Sequence, residues 1–251
     1  MSSGFTHSIR HKLFLTLDGD RLLYAIVSEH QEVLKTGEYA VTDVSMLSDL
    51  LTNTLLFKEI YSTVVLTWSG VPFILHPSSF TSNQERRTLF QISYTLKPTE
   101  QLKDVLISNE MGMSYRIDSE LLKILKEKYN SLTYHCDGEI FLKYVSDVHR
   151  SDYHEIHVMP GNDDLLVLIT RAGKLELLNR YDAKSTEDLF YFVMLAIEQL
   201  DIDIERGSLH VHGDYGSVDF ASIERLFKPY IAEIKDSRKK NSIFEMAVQC
   251  A

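Results

Sequence analysis

Four histidines fall in two short segments, His154-Glu155-Ile156-His157 and His210-Val211-His212. Both segments have the look of strands, and imidazoles from neighbouring strands are able ligands for zinc. Strand side chains repeat on one face every second residue, so His210 and His212 share a face. His154 and His157 are three apart and point to opposite faces, so at most one of them joins that pair. Glu155 faces with His157. The expectation is that these histidines are hydrogen-bonded or exposed, and no metal ligand is assigned. Nucleophilic chemistry finds less support. Ser69-Gly70 follows Trp68 without the Gly-x-Ser-x-Gly of a nucleophile elbow. His135 and Cys136 are adjacent, and adjacent strand residues point apart. The carboxylates are scattered, so no acid/base pair stands out. No catalytic residue is assigned.

The elements that must position these residues come in a repeated order. Lys12–Leu17 reads as a strand, Asp18-Gly19-Asp20 as a tight hairpin turn, and Arg21–Ser28 as the returning strand. A third strand covers Val33–Ala40. Thr42-Asp43 starts a helix whose apolar residues run from Val44 to Leu55 at helical spacing. Thr63–Thr67 is a short β-branched strand. The second half repeats this plan. Strands are expected at Tyr153–Val158, Asp164–Thr170 and Lys174–Tyr181, with turns at Pro160-Gly161-Asn162 and Arg171-Ala172-Gly173. Ser185-Thr186-Glu187-Asp188 caps a helix to about Leu200, and Gly207–His212 is a short strand. Such an internal repeat governs any fold assignment.

Between the copies, strands are expected at Phe73–His76, Lys103–Ser108, Met113–Ile117 and Leu132–His135. Helices are expected at Asn83–Ser93, Asp118–Tyr129 and Glu139–His149. After the second copy come a helix, Phe220–Phe227, and a last strand, Tyr230–Ile234. The helix around Leu189–Leu195 is apolar nearly all round, which means burial on several sides. The basic run Arg238-Lys239-Lys240 and the weakly amphipathic residues after it read as a solvated, frayed end. The domain reading is an N-terminal lobe with an insertion (1–150), a C-terminal lobe (151–235) and a tail (236–251).

In open α/β sheets ligands bind beyond the carboxyl ends of the strands. That rule nominates Thr16, Asp18, Gly161, Asn162, Gly213 and Asp214, with Gly19 and Asp20 beside them. The same Asp-Gly and Pro-Gly steps also read simply as turns.

Composition narrows the function classes. The chain has 251 residues, 44% of them apolar, enough for one large or two small packed domains. Its 36 acidic and 26 basic side chains give a net charge of −10, which disfavours a phosphate backbone as partner. Two distant cysteines make neither a metal-site spacing nor a disulfide framework. The longest apolar run, Leu189–Ile197, falls short of a bilayer span of about 20 residues, and the N-terminus shows no signal-peptide core. The expected location is the cytoplasm, with thiols reduced.

Three antiparallel strands, a helix and a returning strand, occurring twice, resemble the plan of the actin, sugar kinase and Hsp70 superfamily. The fold class expected is therefore α/β, a duplicated β-β-β-α-β actin-like (RNase H-like) fold of two lobes with mixed five-stranded sheets. The second half is similar to the PilM and GspL-like branch. Leu177-Leu178-Asn179-Arg180-Tyr181, Ser185-Thr186-Glu187-Asp188 and Leu209-His210-Val211-His212-Gly213 carry that likeness. Over its whole length the chain resembles an uncharacterised bacterial domain-of-unknown-function family of the superfamily. ATPases of the superfamily end the first strand of each lobe in an Asp-x-Gly phosphate loop and carry a Gly-Gly pair against the adenosine. Here the second loop reads Met159-Pro160-Gly161, and proline lacks the amide such a loop uses. The first reads Thr16-Leu17-Asp18, and the Gly-Gly is Gly213-Asp214. The resemblance thus implies a degenerate ATPase fold that binds protein, such as a cytoplasmic segment of a membrane assembly, without a cofactor. An atypical Mg-ATP enzyme using Asp18, Asp20 or Asp164 is the alternative, and a homodimer is a third.

Overall fold

A computed structural model describes residues 11–148, 152–213, 219–237 and 243–250. The chain folds as two compact units that meet in sequence between Glu139 and Ile140.

The first unit is built on strands β1 (Lys12–Asp18), β2 (Arg21–Val27), β3 (Val33–Ala40), β4 (Thr63–Ser69) and β8 (Leu132–Cys136), in the order β3-β2-β1-β4-β8. The first three are antiparallel neighbours, and β4 and β8 run parallel to β1. All five interior residues of β1 and of β4 are buried, as expected of strands covered on both faces. Helix α1 (Val44–Asn53) starts at Asp43, whose carboxylate accepts the Met46 amide at 2.8 Å. The expected single helix breaks at Thr54, which is extended, and Leu55–Lys58 forms a separate turn, α2. Between β4 and helix α4 (Ser119–Lys128), which leads into β8, lies an insertion: β5 (Phe73–Pro77), α3 (Asn83–Ser93), β6 (Glu100–Leu106) and β7 (Met111–Asp118). Its strands form a second sheet, β5-β7-β6. β6 starts and ends earlier than expected, because the Ile107 and Ser108 amides turn back onto the Met111 carbonyl.

The second unit opens in α5 (Asp137–Val148), which begins in the first. It then repeats the topology with β9 (His154–Pro160), β10 (Asp164–Arg171), β11 (Lys174–Asp182), β12 (Ser208–Val211) and β13 (Glu233–Asp236). The order β11-β10-β9-β12-β13 and its strand directions match the first sheet. Even the bulges correspond. Each sheet shifts register once, between its second and third strands, at Ile26/Val27 and at Ile169/Thr170. Helix α6 (Thr186–Gln199) starts with a reciprocal capping box between Ser185 and Asp188. Helix α7 (Phe220–Phe227) and its counterpart α4 are both capped by an aspartate, Asp219 and Asp118.

Strand alternation splits the second sheet's interior in two. Ile156, Val158, Leu165, Val167, Ile169, Leu209 and Val211 face α6 and α7 and pack on Leu189, Val193, Ala196, Ile223 and Phe227. The intervening residues, His157 and His210 among them, occupy the opposite face. The helix Leu189–Leu195 buries one stripe in this core, through Leu189 and Val193, while Tyr191 is 59% exposed, so the expected burial on several sides is met only in part.

Two expectations are corrected. The last strand lies at Glu233–Asp236 rather than Tyr230–Ile234, because the Tyr230 and Ile231 amides close the end of α7 on the Phe227 carbonyl, at 2.8 and 2.9 Å. Part of the segment expected to fray forms a helix, α8 (Ile243–Cys250), with Ile243, Met246, Ala247 and Val248 buried. The Arg238-Lys239-Lys240 run lies outside the described residues, as does Asp214. Among the described residues no helix is long and apolar enough to cross a membrane.

Candidate functional site

Two groups of residues answer to a functional site: the strand ends nominated from topology, and a buried cluster of histidines.

In the first unit, Thr16 sits inside β1, 1% exposed, directly beside Thr67 of β4. Its hydroxyl is buried with no hydrogen-bond partner. Asp18 ends the strand, and its carboxylate accepts a 2.7 Å hydrogen bond from the Arg21 guanidinium across the hairpin. Gly19, with φ of +60°, and Asp20 make the turn itself, and a positive φ at the first turn position is what glycine accepts without strain. Asp18-Gly19-Asp20 therefore forms a hairpin held by an ion pair.

One residue at this edge escaped the sequence reading. Asp137, 2% exposed, stands just beyond β8. One carboxylate oxygen accepts the Gly70 amide at 2.9 Å and the Ser69 hydroxyl at 3.3 Å, and the other accepts the Gly138 amide at 2.8 Å. Asp137 thus ties the ends of β4 and β8 together. An acidic residue opening a helix was its only signal in the sequence. Ser69 shares that carboxylate oxygen with the Gly70 amide, as part of the tie between the two strand ends. His135 and Cys136 part as expected: His135 meets Glu139 at 2.8 Å, and the Cys136 thiol turns inward to Met113. Cys136 and Cys250 are thiols and form no disulfide.

In the second unit, Gly161 and Asn162 make the β9–β10 turn. The Gly161 amide donates to the Asp164 carbonyl at 2.7 Å, and the Asp164 carboxylate pairs with Arg180. Where the resemblance places a phosphate loop, the sequence Met159-Pro160-Gly161 therefore offers no amide at Pro160 and one already engaged at Gly161. Gly213 leaves β12 with φ of +83°.

The histidine cluster lies on the face of the second sheet away from α6. His157 of β9 is the register partner of His210 of β12, and Glu155 of Ser208. The His157 and His210 rings stack at 4.6 Å between centroids. His212 follows the strand, anchored by its amide to the Val158 carbonyl at 2.8 Å. Its Nε2 lies 3.0 Å from His157 Nδ1. His210 Nε2 lies 2.9 Å from the Ser208 hydroxyl and 3.6 Å from Glu155 Oε1. Phe141 and Tyr144 of α5 present ring edges to His212, at 5.3 and 6.0 Å. The three histidines are 0%, 2% and 0% exposed. Burial raises the Glu155 pKa, against the partial offset of Lys235. Spacing correctly assigns His157, not His154, to this face. His154 instead meets Arg171 and Glu176. The expectation of hydrogen-bonded histidines holds, but their convergence in one buried group was not anticipated.

A third polar group joins the small sheet to α3. The Ser114 hydroxyl lies 3.1 Å from His76 Nε2 and donates to Asp104 at 2.5 Å, while Asp104 forms an ion pair with Arg86 at 2.9 Å. Ser114 is fully buried. The serine stands between its partners rather than at the end of a relay, and the arrangement braces four elements.

The duplicated sheets, with their shared order and directions, define an actin-like fold. In sequence, residues 4–234 match the family described as protein of unknown function (DUF3822), and the chain belongs to that family. A crystal structure from Bacteroides thetaiotaomicron, of a protein with an actin-like ATPase fold and unknown function, is similar over 100% of both chains, with a TM-score of 0.86 at 19% identity. The cytoplasmic domain of EpsL, an inner membrane component of the Vibrio cholerae type II secretion system, gives a TM-score of 0.53 at 13% identity, over 95% of this chain and 93% of that one. The PilM–PilN type IV pilus biogenesis complex gives 0.55 at 12%, over 92% and 90%. The expected family is thereby met, and the likeness to EpsL and PilM is one of fold. No curated protein matches the sequence.

Proposed function

We propose that this chain is a non-catalytic binding protein: an actin-like fold whose phosphate-binding apparatus has been given over to structure, and whose ligand is a segment of another protein. The observation that carries the reading is the turn at Met159-Pro160-Gly161. A phosphate loop works by offering free backbone amides and a carboxylate for the metal. Here the aspartate is Met159, Pro160 has no amide, and the Gly161 amide is bonded to Asp164 at 2.7 Å. The candidate acids of each unit are engaged as well, Asp18 with Arg21 and Asp164 with Arg180. A kinase-like reading with displaced acids would have to break both pairs before a metal ion could use them.

Two folds of similar plan support a protein ligand. One is that of PilM, found in complex with PilN, and the other belongs to an inner membrane component of a secretion system. By that analogy the ligand is a cytoplasmic segment of a membrane assembly, and the protein works in the cytoplasm. The net charge of −10 disfavours nucleic acid.

Thermal unfolding with and without millimolar Mg-ATP, Mg-ADP and Mg-GTP tests this. A ligand at 100 times its dissociation constant adds about 2.7 kcal/mol, which moves the midpoint by several degrees. No shift is expected. A shift with any of the three would replace this reading with a nucleotide-dependent one.

A further inference from the structure

We propose that His157, His210 and His212 form a binding site for one zinc-class divalent cation, independent of any ligand the protein binds elsewhere. One ring nitrogen from each lies within 4.8 Å of the others, and all three side chains are buried. Imidazole nitrogens favour zinc and its first-row neighbours over magnesium or calcium, which take oxygen ligands.

Three features of the cluster fit a metal better than a packing accident. First, His157 Nδ1 and His212 Nε2 approach to 3.0 Å. That contact is a hydrogen bond whose shared proton a cation can replace with little movement, since nitrogens sharing a tetrahedral zinc are ~3.3 Å apart. Second, His210 Nε2 is held by the Ser208 hydroxyl and faces Glu155. A hydroxyl or carboxylate on the far nitrogen is the contact that fixes the tautomer of a metal-bound histidine and raises its basicity. Third, the backbone is rigid where the ligands stand. His157 and His210 are register partners on adjacent parallel strands, and His212 is fastened to Val158. Closing the widest spacing to that of a tetrahedral site needs a movement of about 1.5 Å, within reach of a side-chain rotation. Phe141 and Tyr144 pack against His212. The bound cation would pin the end of β12 to β9 immediately before Gly213.

The full chain, stripped with a chelator, is titrated with zinc chloride at pH 7.5 against a colorimetric zinc indicator, and bound metal is counted by elemental analysis. One equivalent per chain is expected, with a rise in unfolding temperature. H157Q and H212Q are expected to weaken binding by at least the roughly 10–100-fold that loss of an outer-shell partner costs, with unchanged far-ultraviolet circular dichroism, whereas H154Q, outside the cluster, binds as the parent does. Cobalt-loaded parent protein reports the ligand set even if a glutamine variant misfolds, and visible bands of a four-coordinate site with three nitrogen ligands and one water are expected. Less than one equivalent at micromolar zinc, parent-like affinity in both H157Q and H212Q, or only the weak spectrum of hydrated cobalt would each overturn the site.

Discussion

Gly70 and Gly213 are counterparts: each follows the fourth strand of its sheet, and each takes a positive φ, +67° and +83°. Both copies leave that strand through a backbone conformation that costs an L-residue about 1–2 kcal/mol. Gly213 is therefore not simply the remnant of a nucleotide-binding pair. It meets the same steric demand that Gly70 meets in the other unit.

Alanine at either position is expected to lower stability by about 1–2 kcal/mol in urea unfolding. Gly207 provides the comparison: its φ is −86°, and an added Cβ meets atoms only at 3.5 Å and beyond. Gly207→Ala should be neutral or slightly stabilising. Equal effects at all three glycines would refute the backbone argument.

Gly112 makes a different demand. A Cβ there would land on the His76 ring, and that ring is held by the Pro77 carbonyl at 3.0 Å and the Ser114 hydroxyl at 3.1 Å. Gly112→Ala is expected to cost about 1–3 kcal/mol, the usual range for overpacking. Pairing it with His76→Ala should recover part of the loss in a double-mutant cycle, and strict additivity would show that the two do not meet.

Asp188 gives a pH signature. Its carboxylate accepts the Lys184 amide at 2.9 Å and the Ser185 amide at 3.1 Å, and these bonds lower its pKa below the usual 3.8. The folded chain binds that proton less tightly than the unfolded one, so the contribution is complete above the unfolded value and is lost as pH falls through the lowered one. Asp188→Asn should flatten the acid limb of unfolding temperature against pH below about 4 and leave its neutral-pH shape unchanged. An acid limb identical to the parent's would contradict this.

Asp18 separates the two functional readings. It pairs with a third-exposed Arg21, so Asp18→Ala should cost no more than about 1 kcal/mol. With no nucleotide site to damage, the response to Mg-ATP should match the parent's. A selective loss of nucleotide affinity in this variant would favour the displaced-acid enzyme.

The repeated plan was readable because each copy writes it in hydrophobic period and turn chemistry. Alternating apolar residues, Asp18-Gly19, Pro160-Gly161 and the Ser185–Asp188 box each act locally, and local signals survive in a single sequence. The misplaced last strand shows the limit. Tyr230–Ile234 has strand-like residues, but the end of α7 claims two of their amides. The site was less legible for the same reason. That His210 and His212 share a face follows from spacing alone. That His157 stands directly opposite His210 depends on the register of two strands some fifty residues apart, which no local pattern specifies. Asp137 was hidden likewise, because its partners Ser69 and Gly70 lie on another strand.

Calorimetric titration of the full chain with Mg-ATP tests the central claim most directly. The account predicts no saturable heat up to millimolar nucleotide and no phosphate release beyond the buffer rate. Stoichiometric binding with a micromolar dissociation constant would contradict it, and would mean that the Gly161 turn opens, or that a different set of amides does the work of a phosphate loop.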